Sequence, residues 1–242
     1  MEAIPELVHN EENLQSLFFG QRVEAVFFDL DGTLVDTEKE TDLAIREIMG
    51  EYGRPDAFLQ PFYTTGRSWE SIGNSLCERY PEARDIPELP QKLAKSWEKF
   101  VSINPRTLTG VHQAVEWASK YFPVSVVSSS PRYLIDLLLE STGLDVFFPP
   151  HTRIGVDQVS EAKPSPIPFL VAAETLGIDP SYGLVFEDSG AGLIAAKKAG
   201  MKSIAIMEVC KDKEMCSQLT DVCIQDFRTL QESFWKRLAG AL

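Results

Sequence analysis

Short apolar runs recur through the second half of this chain, each separated from the next by a helix-forming segment, and that rhythm strongly limits the folds available to it. The runs are Val124 to Val127, a short one at Arg153 and Ile154, Leu184 to Phe186 and Ser203 to Ile206, with a possible edge strand at Val222 to Ile224. Between them the periodicity predicts helices over Val111–Lys120, Tyr133–Glu140, Ile167–Leu176 and Leu193–Lys198, the last ending at Gly200. Strand, helix, strand at this spacing predicts an α/β fold, a Rossmann-like parallel sheet with helices on both faces. The apolar run Val23 to Phe28 belongs to the same sheet.

Residues 39–104 break the rhythm. Three helix-forming stretches follow one another there with no convincing strand, and apolar residues recur at three- and four-residue spacing: Leu43, Ile45, Ile48 and Met49, then Trp69, Ile72 and Leu76. This reads as a compact helical unit inserted into a core made of residues 1–38 and 105–242. Thr37 and Glu40 have the spacing of a capping box, which would start the first inserted helix. Residues 1–20 read as a helical or loose lead-in.

Open parallel sheets bind ligands beyond the carboxyl ends of their strands, so what each strand delivers there is informative. The first ends in Asp29 and Asp31, two residues that an extended segment points to the same side. Crowded carboxylates repel unless a cation or a shared proton relieves them. The pair suits a divalent metal, a nucleophile beside an acid/base, or both; a strand running into an ordinary polar turn is the plainer alternative. The second strand delivers Ser128, Ser129 and Ser130, and a third delivers Glu187 and Asp188, which could equally decorate a helix N-terminus.

A carboxylate-only oxygen set suits Mg²⁺ as the cofactor. Ser128 and the groups after it could receive phosphoryl oxygens in a small nest, and Lys163, between Ala162 and Pro164, could supply a fixed positive charge. Taken singly, the serines are an ordinary loop and the lysine a solvated surface residue.

The formal charge of -13 argues against a nucleic-acid partner, because phosphate backbones are held by clustered Lys and Arg. It leaves room for a small anion beside a metal. Cys77, Cys210, Cys216 and Cys223 fit neither a CxxC metal pattern nor a dense disulfide framework, and read as free thiols of a cytoplasmic protein. The first fifteen residues are acidic and polar where a signal peptide would be basic and then apolar, and no apolar run of about 18 residues suggests a membrane span.

The motif DLDGTLVDTE, the serine after VSVV, the lysine of EAKPSP and the run VFEDSGAGLIAAKKAGM occur in an order that resembles the haloacid dehalogenase superfamily, in its phosphatase and phosphomutase branch with a small helical cap. The resemblance covers nearly all of the chain beyond the first twenty residues. It implies that Asp29 attacks phosphorus and forms an aspartyl phosphate, while Asp31 protonates the leaving oxygen and later deprotonates water. It also implies Mg²⁺ bound by Asp29, the main-chain carbonyl of Asp31, Asp188 and Glu187, with Ser128 and Lys163 on the phosphoryl oxygens. Asp31 sets the chain apart from the dehalogenases themselves, which attack carbon without Mg²⁺.

The expected partner is a small phosphorylated metabolite, a sugar phosphate foremost, and the protein is expected as a monomer or weak homo-oligomer. Substrate-binding candidates are Ser129, Ser130, Thr37, Arg67 in the turn Tyr63 to Ser68, and Arg132; Arg67 could also simply face solvent. Related mutases of β-glucose phosphates carry a histidine near the position of Thr41, whereas His9, His112 and His151 lie elsewhere. The reading is therefore a phosphatase, with a sugar phosphomutase or a phosphoglycolate phosphatase as alternatives and a non-catalytic scaffold as a third class.

Overall fold

The computed structural model describes residues 7–8, 22–60, 63–103 and 105–240. Its strands are β1 (Leu7–Val8), β2 (Ala25–Phe28), β3 (Val124–Val127), β4 (Arg153–Ile154), β5 (Gly183–Glu187), β6 (Lys202–Ile206) and β7 (Val222–Ile224). They form one sheet in the order β1-β7-β6-β5-β2-β3-β4, with every pairing parallel. Val222–Ile224 is therefore not an edge: the lead-in, expected to be helical or loose, places Leu7–Val8 outside it. The rest of that expected lead-in lies outside the described residues.

Alternation along the strands divides the core. Val26 and Phe28 point to one face with Leu184, Phe186, Phe148, Phe227 and Trp235. Ala25 and Phe27 point to the other with Val185, Phe169, Ala172 and Ala195. The first face is covered by α4 (Val111–Tyr121), α5 (Arg132–Thr142) and α9 (Glu232–Leu238); the second by α6 (Ile167–Leu176), α7 (Gly190–Lys198) and α8 (Lys213–Leu219). Strands buried on both faces need apolar residues at successive positions, which is why β2 and Leu184–Phe186 of β5 read as short unbroken runs; in β3 the buried Ser125 interrupts the run and donates its hydroxyl to Thr152 O at 2.6 Å.

The inserted segment forms α1 (Glu38–Glu51), α2 (Trp69–Arg79) and α3 (Leu89–Val101). Both α1 and α2 pack on α3, burying Ile45, Met49, Leu76, Leu93 and the edge-to-face pair Trp69–Trp97, with ring centroids 5.9 Å apart. Leu43, placed by periodicity on the apolar stripe, is instead 44% exposed. The capping box also fails to form: Thr37 precedes α1 but makes no side-chain cap, because its hydroxyl is drawn to Asp31. Among the described residues, no helix is long and apolar enough to cross a membrane.

The centre of the sheet carries the site, and its support is aromatic. Phe28 stacks on Phe186 at 5.1 Å and meets Phe148 edge-to-face at 5.9 Å. Phe28→Ala is expected to cost about 3–5 kcal/mol through lost burial and the cavity left behind. Urea denaturation checks this, and a loss below about 1 kcal/mol would mean that the neighbouring rings collapse into the gap.

Candidate active site

Strand order decides which residues meet. With β2 between β3 and β5, and Phe28 in register with Val126 and Phe186, Asp29 emerges level with Val127 and Glu187. The loop after β2 then doubles back: Gly32 N–H donates to Val35 O at 2.8 Å, and Asp31 and Val35 form an isolated bridge. Gly32 has φ +85°, and a Cβ there would lie 2.3 Å from Asp188 Oδ2, so only glycine lets this loop and Asp188 share the space.

Lys163 closes the group from below. Its buried ammonium donates to Asp29 Oδ1 at 2.6 Å, Glu187 Oε1 at 2.7 Å and Val127 O at 2.8 Å, joining the ends of three strands. Three donors meet three acceptors, which is the full capacity of the group. Burial works against the charged lysine, but the adjacent Asp29 and Glu187 outweigh it and raise its pKa, so it stays protonated. Burial and the neighbouring Glu187 charge push the Asp29 pKa well above the ordinary carboxylate range, with Lys163 opposing them.

The other carboxylates differ in how they are held. Glu187 Oε2 accepts from the backbone N–H of Asp188 and Ser189, at 3.0 and 2.9 Å, and from Ser189 Oγ at 2.8 Å. Thr33 Oγ1 donates to Asp188 Oδ1 at 3.0 Å. Asp31, half-buried, accepts three hydroxyls: Thr37 at 3.1 Å on one oxygen, Ser128 and Ser130 at 2.9 Å each on the other. Burial raises the Asp31 pKa, and the three hydroxyls moderate the rise.

A metal suits the upper side of this cluster. Asp29, Glu187 and Asp188 each offer a carboxylate oxygen, and these lie within 4.8 Å of one another. Asp29 Oδ2 is buried without a hydrogen-bond partner. An all-oxygen donor set around a buried, unpaired carboxylate oxygen fits a hard divalent cation. Glu187 has both oxygens occupied by protein donors, and the Asp31 carboxylate stands outside the group.

Above the acids is a cavity of about 30 Å³, room for a water or two. Asp29, Asp31, Ser129 and Ser130 line it from the sheet side, and Thr41, Arg67, Trp69, Ile72 and Trp97 from the helical unit. The turn carrying Arg67 is tied down, since Ser129 Oγ donates to Gly66 O at 2.8 Å. Half-burial lowers the Arg67 pKa, Arg67 facing this cavity rather than only solvent. Arg132 corrects the expectation of a substrate contact: its Nε donates to Asp136 at 3.0 Å and its Nη1 to Arg153 O at 3.2 Å, away from the cavity.

Sequence reasoning missed Trp97 as a wall of the cavity and took Trp69 and Ile72 only as core. The three-residue spacing of Trp69 and Ile72 placed both on one helical face, but not what that face looks onto. It also missed Thr33, whose contact with Asp188 spans 155 positions.

Lys163 is the counter-ion for two buried acids, so Lys163→Met is expected to destabilise the fold by about 3–5 kcal/mol. Adding Glu187→Gln is expected to recover part of that loss. Urea unfolding of both variants checks it; equal stabilities would mean that Glu187 does not depend on the lysine.

Residues 26–206 match the profile of the haloacid dehalogenase-like hydrolase family. Over 190 residues the chain is 30% identical to a phosphorylated carbohydrates phosphatase of Thermotoga maritima, a match covering 75% of this chain and 84% of that protein. Over 188 residues it is 28% identical to the fructose-1-phosphate phosphatase YqaB of Escherichia coli, covering 77% of this chain and 97% of that protein. A hydrolase of Pseudomonas syringae has a similar fold, with a TM-score of 0.71 at 22% identity over 84% of this chain and 93% of its own. With a match that spans most of the polypeptide, the strand ends described above included, the chain belongs to the haloacid dehalogenase-like hydrolases.

Proposed function

We propose that this protein is a Mg²⁺-dependent phosphatase that removes phosphate from a small phosphorylated metabolite, a sugar phosphate, in the cytoplasm, through an aspartyl-phosphate intermediate on Asp29. The observation that carries this reading is the division of labour on Asp29. One oxygen is neutralised by Lys163 at 2.6 Å, while the other is buried without a donor, where a cation or a phosphorus atom would meet it. The names of the relatives, both phosphatases of phosphorylated carbohydrates, support the same substrate class.

In this proposal Asp29 attacks phosphorus, a bond forms from its carboxylate oxygen, and the ester P–O bond breaks. Asp31 gives its proton to the departing alkoxide, and its raised pKa suits it to carry one. It then takes a proton from the water that attacks the aspartyl phosphate, releasing inorganic phosphate and free Asp29. The hydroxyls of Thr37, Ser128 and Ser130 aim Asp31. To hold the non-bridging oxygens, Ser128 would turn its proton from Asp31 and Lys163 would turn one of its three from a protein acceptor, with Ser129 and Ser130 beside them.

Asp29 and Asp188 would hold Mg²⁺, joined by the main-chain carbonyl of Asp31. Glu187 would stand behind them, its oxygens committed to Lys163 and the start of α7. When bound, the ion would supply charge neutralisation for the phosphoryl group. The helical unit, residues 39–104, would act as a cap: a cavity of about 30 Å³ excludes a phosphate ester, so the unit must open to admit one and close to shed water. Thr41 lines that cavity where related mutases carry histidine, which supports hydrolysis over transfer to a second sugar hydroxyl. A monomer or weak homo-oligomer is proposed as the acting form.

With an aryl phosphate and Mg²⁺, the purified protein is expected to release phosphate, and EDTA or Asp29→Asn to abolish that release. Asp31→Asn is expected to slow turnover by about 10²–10⁴-fold, the usual worth of a positioned acid/base. Unchanged activity in Asp29→Asn would overturn the nucleophile. Phosphorus NMR of a hexose 1-phosphate showing an isomer in place of free phosphate would overturn hydrolysis.

A further inference from the structure

Beyond the small cavity over Asp29, the seam between the helical unit and the sheet holds a second, larger one. Its volume is about 420 Å³, and Trp69 lines both. The two are consecutive along one stretch of chain: Ser129 and Ser130 face the inner cavity, and Pro131 and Tyr133 the outer. Val156, also in the outer wall, is held there by its N–H donating to Ser130 O at 3.1 Å.

We infer that the substrate's leaving group is an uncharged two-ring polyol whose second ring occupies this outer chamber, with Trp69 as the partition it passes. The inference rests on the phosphatase reading and narrows its substrate class. Sites for organic ligands measure about 300–1,000 Å³, a range that includes the outer chamber. The chamber is present while the seam is drawn tight, with Ser129 bonded to Gly66 O across it. A monosaccharide phosphate would leave that space to water.

The lining matches a sugar ring. Trp69, Pro90, Ala94, Pro131 and Val156 form an apolar floor suited to the C–H face of a pyranose or cyclitol. Trp69 is rigid there, braced edge-to-face by Trp97. The rim carries acceptors for hydroxyls in Glu70 and Glu98, against the single ammonium of Lys95. That excess of negative charge disfavours a second phosphate or a carboxylate on the far end of the substrate. Tyr133 closes the outer wall, its hydroxyl donating to Glu98 Oε2 at 3.4 Å and so joining α5 to α3.

The test compares glucose 6-phosphate with three neutral disaccharide monophosphates (trehalose 6-phosphate, sucrose 6-phosphate and maltose 6′-phosphate), with p-nitrophenyl phosphate as reference. At least one disaccharide ester is expected to exceed glucose 6-phosphate in kcat/KM by about tenfold or more. Ala94→Phe, which fills the outer chamber only, is expected to remove that advantage while leaving glucose 6-phosphate and the aryl ester within about twofold. Gln91→Trp, at an exposed position on the same rim, is expected to do the same and guards against a folding defect in the first variant. Equal or better turnover of glucose 6-phosphate than of all three disaccharide esters overturns the inference, as do variants that lower every ester alike or none. Wild-type protein that leaves even the aryl phosphate intact overturns the phosphatase reading itself, and the inference with it.

Discussion

The ammonium of Lys163 sits where three parallel strands end, bonded to Asp29, Glu187 and the carbonyl of Val127, and the arrangement of the acids follows from it. Two carboxylates buried side by side would repel each other and resist ionisation. One lysine between them supplies the opposing charge while occupying only one oxygen of each. The second oxygen of Glu187 is left to orient the start of α7, and the second oxygen of Asp29 stays buried without a donor. A surface lysine would leave this geometry to fluctuate; a fully buried one with all three protons engaged does not.

The same economy shapes the surroundings. Asp31 is held by hydroxyls where Asp29 is held by a cation, so two acids one residue apart live in different electrostatic settings. Environments that separate the behaviour of paired carboxylates are what divide a nucleophile from an acid/base. Close approach of backbone to carboxylate completes the packing. Gly32 lies where a side chain would strike Asp188, and a Cβ on Gly192 would fall 1.6 Å from Glu187 Oε1. The helical unit is fitted to the same surface: a Cβ on Gly66 would fall 2.2 Å from Ser189 Oγ.

Much of this was legible before folding. Apolar runs ending in Asp29, Ser128 and Glu187 marked both the sheet and the edge at which it carries chemistry, because strand formation and its polar termination are local properties of the chain. Where the reading went astray, the cause was a nearby partner that the chosen pattern did not weigh. Thr37 looked like a helix cap and instead serves Asp31; Arg132 looked like a ligand contact and instead pairs with Asp136. Periodicity put Leu43 inside, but the stripe of α1 turns just far enough to leave it in solvent.

What the sequence by itself determined was therefore the class of fold, the family, and the residues that gather at the strand ends, since each is written in short-range pattern. Only the tertiary structure decided which donor each carboxylate receives, that Trp69 and Trp97 wall the cleft, and that a larger chamber lies beyond the small one. Those depend on contacts between residues as far apart as Asp29 and Lys163, 134 positions along the chain. A hydroxyl, a guanidinium or an indole has several partners within its chemical reach, and the packed backbone selects among them.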